Sequence, residues 1–346
     1  MRFVDVQTTY GVVKFHYCIS TPDNNDADAS CIDPAIPTIL FLHPVCCPMQ
    51  TFHPQFGDPE MRRFNLVGVD ALAHGMTEGR VPASYRQHDA AADTALFMEA
   101  LALPPCVIVG LDLGTIVGTQ LAVSYPEKVT ALFLVSPLGT KEPEDVLDGK
   151  RQILSTWKES FASGVIDEEA ISDTVFGALQ LAYNNAELPP SGEAYNIVYD
   201  TALAKWALGP GDLDQFEVCT NMIFTDRRDF SRDELAHLRE KPVTLVICRD
   251  NIAYPPEYVR TFEAQLKAAG VKTQVESVTG APHFGSVTHP HVINPMIVRF
   301  VLGSWKGPDV PPAKSSVISP FDDQMRQAFA ISASRHSDEE CNDGDI

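Results

Sequence analysis

The sequence lacks any apolar run approaching the ~20 residues that a membrane-spanning helix needs. No apolar leader follows Met1, Arg2, Phe3, Val4 and Asp5 either, so a cytoplasmic protein is the expectation. Positive charge is scarce. The 26 Lys and Arg face 46 Asp and Glu, a formal charge of −20, which disfavours nucleic acid and anionic membrane surfaces as partners. Part of the excess is a tail, since Asp338, Glu339, Glu340, Asp343 and Asp345 crowd the C-terminus. Spacings of the C-x-x-C kind are missing among Cys18, Cys31, Cys46, Cys47, Cys106, Cys219, Cys248 and Cys341. Several of these lie in apolar runs, so buried free thiols are expected in place of disulfides or a zinc site. Neither a cofactor nor a metal is expected, and internal repeats are not evident.

What is present is a pattern of strands and helices long enough to bury one large core with an inserted piece. Residues 2–8 and 11–19 alternate as a hairpin, and Thr21 to Ala35 is a polar, Asx-rich loop. Pro37 to His43, Asn65 to Asp70, Val129 to Val135, Pro242 to Cys248 and Lys272 to Val278 read as strands, most of them continuous apolar runs of the kind buried in a parallel sheet. Helical periodicity marks 84–103, with Ala91, Ala95, Met98 and Ala102 on one face, and also 256–269 and 290–304. Between Ser136 and Lys241 only helical segments appear, at roughly 145–163, 167–184, 193–208, 214–228 and 231–240. The expected fold class is α/β: a mostly parallel, doubly wound eight-stranded sheet with a helical cap inserted after strand 6. The expected division is a core over 1–140 and 242–306, a cap over 141–241, and a flexible acidic tail over 307–346.

The stretch from Cys106 to Tyr125 organises the rest. An apolar strand runs into Gly110-Leu111-Asp112-Leu113-Gly114 and then into a helix of small and apolar residues. The flanking glycines imply a tight turn that holds Asp112 at the end of the sheet. This pattern resembles the nucleophile elbow of α/β-hydrolases, G-x-S-x-G, with aspartate in the serine position. Three further strand ends extend the resemblance over about residues 1–305. Leu42-His43-Pro44-Val45-Cys46 stands where the family has His-Gly-x. Asp70-Ala71-Leu72-Ala73-His74-Gly75 is similar to its structural D-x-R-G-H-G loop. Gly280-Ala281-Pro282-His283-Phe284-Gly285 stands where it holds a histidine.

The resemblance implies these roles. The backbone N–H groups of Val45 and Leu113 form an oxyanion hole, His283 is the general base, and Asp112 is a carboxylate nucleophile as in epoxide hydrolases and haloalkane dehalogenases. Those relatives usually carry Trp after the aspartate; Leu113 here counts against dehalogenation. Epoxide opening calls for acids in the cap, for which Tyr183, Tyr195 and Tyr199 are candidates. Where the family's acid precedes a proline as D-x-x-x-P, this chain has Asn251 before Pro255. Asp250 and a carboxylate after the sixth strand, Glu142 or Glu144, are alternative acids.

Aspartate at the elbow and asparagine behind the histidine read as one coupled change. Three functions follow as expectations. The first is a cofactor-independent hydrolase of a small apolar organic substrate, epoxide- or ester-like. The second is a lyase, cyclase or isomerase that uses Asp112 and His283 for proton transfer. The third is a non-catalytic binding member of the fold, as the N-myc downstream-regulated proteins resemble.

Overall fold

The computed structural model describes residues 2–25, 27–163, 166–184, 193–207 and 210–328. Eight strands form one sheet: β1 (Arg2–Thr8), β2 (Gly11–Ser20), β3 (Thr38–Leu42), β4 (Asn65–Val69), β5 (Cys106–Leu111), β6 (Val129–Val135), β7 (Val243–Cys248) and β8 (Thr273–Val278). Their order is β1-β2-β4-β3-β5-β6-β7-β8. The opening hairpin and the β2–β4 pair are antiparallel, and the remaining neighbours are parallel. β3, β4, β5 and β7 are buried along their whole length. That is why they read as continuous apolar runs: alternate residues serve opposite faces. Leu40, Leu42 and Ile108 join one core cluster, while Ile39, Phe41 and Val109 join the other.

Helices α1 (Gln87–Ala100) and α2 (Leu113–Ser124) cover the first face. Between β6 and β7 come α3 (Glu144–Glu159), α4 (Glu168–Tyr183), α5 (Glu193–Trp206) and α6 (Pro210–Glu217). α6 runs on through a widened turn at Val218–Met222. The segment expected as a helix over 231–240 is only a capped turn at Arg232–Leu235 followed by a 3-10 turn. Helix α7 (Pro256–Ala268) joins the first face, and α8 (Pro290–Ser304) packs on the second. Among the described residues, no helix is long and apolar enough to cross a membrane, seven cysteines are free, and no cluster of metal-binding side chains occurs.

The expectation of a flexible tail over 307–346 needs correction for its first half. Phe321 is fully buried and meets Phe56 with ring centroids 5.0 Å apart. The backbone carbonyls of Pro311 and Ile318 accept hydrogen bonds from Arg63 and Asn25, and Gln324 bonds Gln50. One aromatic anchor and borrowed backbone contacts dock a segment whose average composition is polar. Residues 329–346, with the acidic cluster, lie outside the described residues.

One buried carboxyl away from the cleft predicts a pH effect. Asp93 on α1 accepts from the hydroxyls of Tyr10 and Tyr85, yet burial pushes its pKa up to about 6. In the unfolded chain the value is about 3.9, so between these pH values the folded state binds the extra proton. Stability therefore falls as pH rises from about 4 to 6. Asp93→Asn, whose carbonyl can accept from both tyrosines, is expected to gain about 1–3 kcal/mol at pH 7.5 and little at pH 4.5. Thermal unfolding at the two pH values checks this, and an equal shift at both would refute it.

Candidate active site

The chain order β4-β3-β5 reverses direction at β3, so the loops leaving β3 and β5 part and open a crevice at the strand ends. Val45 follows β3, and Asp112 follows β5. Asp112 has φ +50° and ψ −114°, a conformation that costs a non-glycine residue about 1–3 kcal/mol. Its carbonyl accepts from the Thr115 N–H (2.9 Å) and hydroxyl (2.7 Å). The glycines flanking it are set by close approach: a Cβ on Gly114 would lie 1.9 Å from the Leu42 carbonyl oxygen, and one on Gly110 would lie 2.5 Å from that of Gly114.

The loop carrying Val45 is pinned from behind. His43 donates from Nδ1 to the Pro44 carbonyl (2.8 Å) and accepts the Ala71 N–H at Nε2 (2.9 Å). Asp70 receives the Met49 and Met76 N–H groups and His16 Nδ1, at 2.7, 2.9 and 2.6 Å. Burial opposes the charge of Asp70, but the hydrogen bond and charge of His16 outweigh it and hold the pKa below its ordinary value. Proline at 44 takes the place of the usual glycine, and Cys46 supplies the left-handed residue instead, at φ +60°. The thiol of Cys46 is pushed up to about 12 by burial, which keeps it protonated and argues for packing. His74, tilted against His43 and edge-on to Trp206, is driven down to about 3 by burial and is a neutral structural residue.

Asp112 is buried, and both of its oxygens are engaged. Oδ2 accepts the Val45 N–H at 2.9 Å, and Oδ1 lies 3.1 Å from His283 Nε2. Behind the imidazole, Asn251 Nδ2 stands 2.8 Å from Nδ1. The orientation of that amide is fixed, because Asn251 Oδ1 accepts the N–H groups of Ala253 (3.1 Å) and Tyr254 (3.0 Å). A flipped amide would set its NH2 against those two donors. Asn251 therefore donates to Nδ1, Nδ1 carries the lone pair, and the ring hydrogen sits on Nε2 facing Asp112. This is the reverse of the tautomer in a Ser-His-Asp triad, where the acid takes Nδ1–H and Nε2 is left to accept a proton. Burial opposes ionisation of Asp112, but the hydrogen bond from His283, the Lys150 ammonium and the Val45 N–H hold its pKa below the ordinary value.

A family model for the alpha/beta hydrolase fold matches residues 37–290. The chain belongs to the alpha/beta hydrolase fold family. RutD of Pantoea ananatis, named for carbamate hydrolysis, is 37% identical over 73 residues, 21% of this chain and 26% of that protein. The biotin biosynthesis bifunctional protein BioHC of Teredinibacter turnerae is 26% identical over 207 residues, covering 56% and 32%. The chain thus spans about a quarter to a third of the length of these curated relatives. Two solved structures share the fold: an esterase from Thermogutta terrifontis (TM-score 0.66, 15% identity, 88% and 99% covered) and the enol-lactonase of Burkholderia xenovorans (TM-score 0.62, 14% identity, 87% and 100% covered).

Within this alpha/beta hydrolase fold, the cap helices close over Asp112 and His283. Val146, Ile153, Leu179 and Phe216 line a cavity that also holds Ala253 and Tyr254. The other residues singled out in the sequence stand elsewhere. Leu113 is the first residue of α2, so its N–H lacks an intrahelical acceptor. Asp250 accepts from Gly280 N–H at 3.2 Å, while the ring nitrogens of His283 are taken by Asn251 and Asp112. Glu142 is buried against Arg227 (2.7 Å) and the Tyr254 hydroxyl (2.5 Å), and Glu144 is exposed beside Arg151. Tyr183 packs edge-on to Phe284, Tyr199 is buried in the cap, and neither is among the cavity-lining residues. The side chain of Tyr195 lies outside the described residues. The cavity lining also includes Tyr254, whose ring lies 4.9 Å from that of His283, and Lys150, neither of which carried a motif. Only the helical spacing of Val146, Lys150 and Ile153 could have signalled the latter.

Proposed function

We propose that this chain is a cofactor-independent hydrolase of a small, mainly apolar organic substrate, with Asp112 as the nucleophile. The observation that carries the reading is the two-point hold on Asp112. With Oδ2 on the Val45 N–H, Oδ1 is the attacking oxygen, and the carbonyl of the resulting ester stays in the amide site. Water then adds to Cγ, and the developing oxyanion is received by Val45, with Leu113 N–H at the helix start beside it. An ionised, weakly basic carboxylate suits attack on carbon better than proton abstraction. The match to RutD supports hydrolysis as the reaction class.

The tautomer of His283 favours a second reading, in which a neutral imidazole donates and Asp112 shuttles a proton in a lyase or isomerase. Under the first reading the same tautomer makes water attack the slow step. Single turnover of an epoxide and ester panel in 18O-water, followed by mass spectrometry of the Asp112 peptide, separates the two. Label is expected in Asp112. Turnover without label, lost in both Asp112→Ala and His283→Ala, would replace nucleophilic attack with proton transfer.

A further inference from the structure

Nucleophilic opening of a C–O bond by Asp112 needs a partner for the departing oxygen. Among the described residues the candidate tyrosines do not supply one: Tyr183 and Tyr199 are not among those lining the cavity, and the Tyr254 hydroxyl is committed to Glu142. A cation stands there instead. On α3, Val146, Lys150 and Ile153 are spaced by four and three residues and share the face that lines the cavity with Asp112 and His283. The Lys150 ammonium sits 3.7 Å over the Phe224 ring, a contact that holds a charge in apolar surroundings. Its neighbour Arg151 takes Glu144 and Asp148. Among the described residues no carboxylate forms a salt bridge with Lys150, and its charge instead favours the ionised form of Asp112 across the cavity.

We infer that Lys150 is a catalytic residue that protonates the leaving oxygen, and that the substrate is an epoxide or similarly strained cyclic ether. This rests on Asp112 as nucleophile. As the Oδ1–C bond forms, the ring C–O bond breaks and its electron pair goes to oxygen. Oxygen takes a proton from the Lys150 ammonium, and the neutral amine regains one from water. An alkoxide is far more basic than an amine, so the transfer runs downhill. The role differs from a mere anchor for the cap because it depends on the leaving group.

The test follows the growth of the Asp112 adduct by peptide mass spectrometry in wild type, Lys150→Met, Lys150→Arg and Asp112→Asn. The probes are styrene oxide, whose leaving oxygen needs a proton, and a primary alkyl iodide, whose leaving group needs none. Lys150→Met is expected to slow the epoxide adduct by ~10²–10³-fold and the iodide adduct by less than about threefold, with Lys150→Arg between wild type and Met on the epoxide. Equal slowing of both probes, or no slowing on the epoxide, overturns the role of Lys150 while leaving Asp112 intact. Absence of any wild-type adduct, or its persistence in Asp112→Asn, overturns the nucleophile and this inference with it.

Discussion

Asp112→Asn is expected to lower turnover and adduct formation by at least ~10⁴-fold, the scale seen when a covalent nucleophile is removed. Two effects combine. The amide is not a nucleophile, and it also cannot satisfy its surroundings. Val45 N–H and His283 Nε2–H both point at position 112 as donors, whereas an amide offers one acceptor and one donor. One donor is therefore left facing another, at a cost of about 1–3 kcal/mol. Activity and thermal unfolding should thus fall together in this variant. Retention of activity in a folded Asp112→Asn protein would sink both the nucleophilic and the proton-transfer accounts.

The second large effect concerns Asn251. An aspartate there would still accept the Ala253 and Tyr254 N–H groups on one oxygen, and would turn its other oxygen to His283 as an acceptor. In the Asp112 ester, where no carboxylate faces Nε2, the ring hydrogen would then sit on Nδ1 and leave Nε2 free to activate water. At pH 7.5, Asn251→Asp should speed hydrolysis of the Asp112 ester by ~10²–10⁴-fold, the range of general-base catalysis. The coupling has a sharper form at the elbow. Asp112→Ser alone should remain a poor esterase, because the Nε2 hydrogen faces the serine hydroxyl and cannot take its proton. Asp112→Ser combined with Asn251→Asp rebuilds a Ser-His-Asp arrangement and should hydrolyse 4-nitrophenyl acetate at least ~10²-fold faster than the single variant. Burst and steady-state rates on this ester measure the gain. Simple additivity of the two changes would mean that they are not one event around His283.

Much of this was legible in the sequence where local rules decide. Buried parallel strands must be apolar on both faces, so Thr38–Leu42 and Val243–Cys248 announced themselves. The elbow was legible because Gly110 and Gly114 have no room for a Cβ. His283 stood out because a strand end, a turn and a histidine coincide at Gly280–Gly285. What stayed hidden was set by contacts across the chain. The direction of the Asn251 amide depends on two backbone N–H groups brought round by the next turn. Glu142, a candidate acid by position, is claimed by Arg227 from 85 residues away. Lys150 lay in an amphipathic helix where a lysine ordinarily faces water, and only the fold turns it over Phe224. The segment 307–328 reads as tail because its polar composition outweighs the single anchor at Phe321.

The most direct test of the coupled arrangement is the tautomer of His283, read from long-range 1H–15N correlations of 15N-labelled protein at pH 7.5 and assigned with Asn251→Asp and His283→Gln. The account predicts a protonated Nε2 and an unprotonated Nδ1 in wild type, and hydrogen on Nδ1 as well in Asn251→Asp, where a carboxylate faces each ring nitrogen. A wild-type ring protonated at Nδ1 with a bare Nε2 would contradict it.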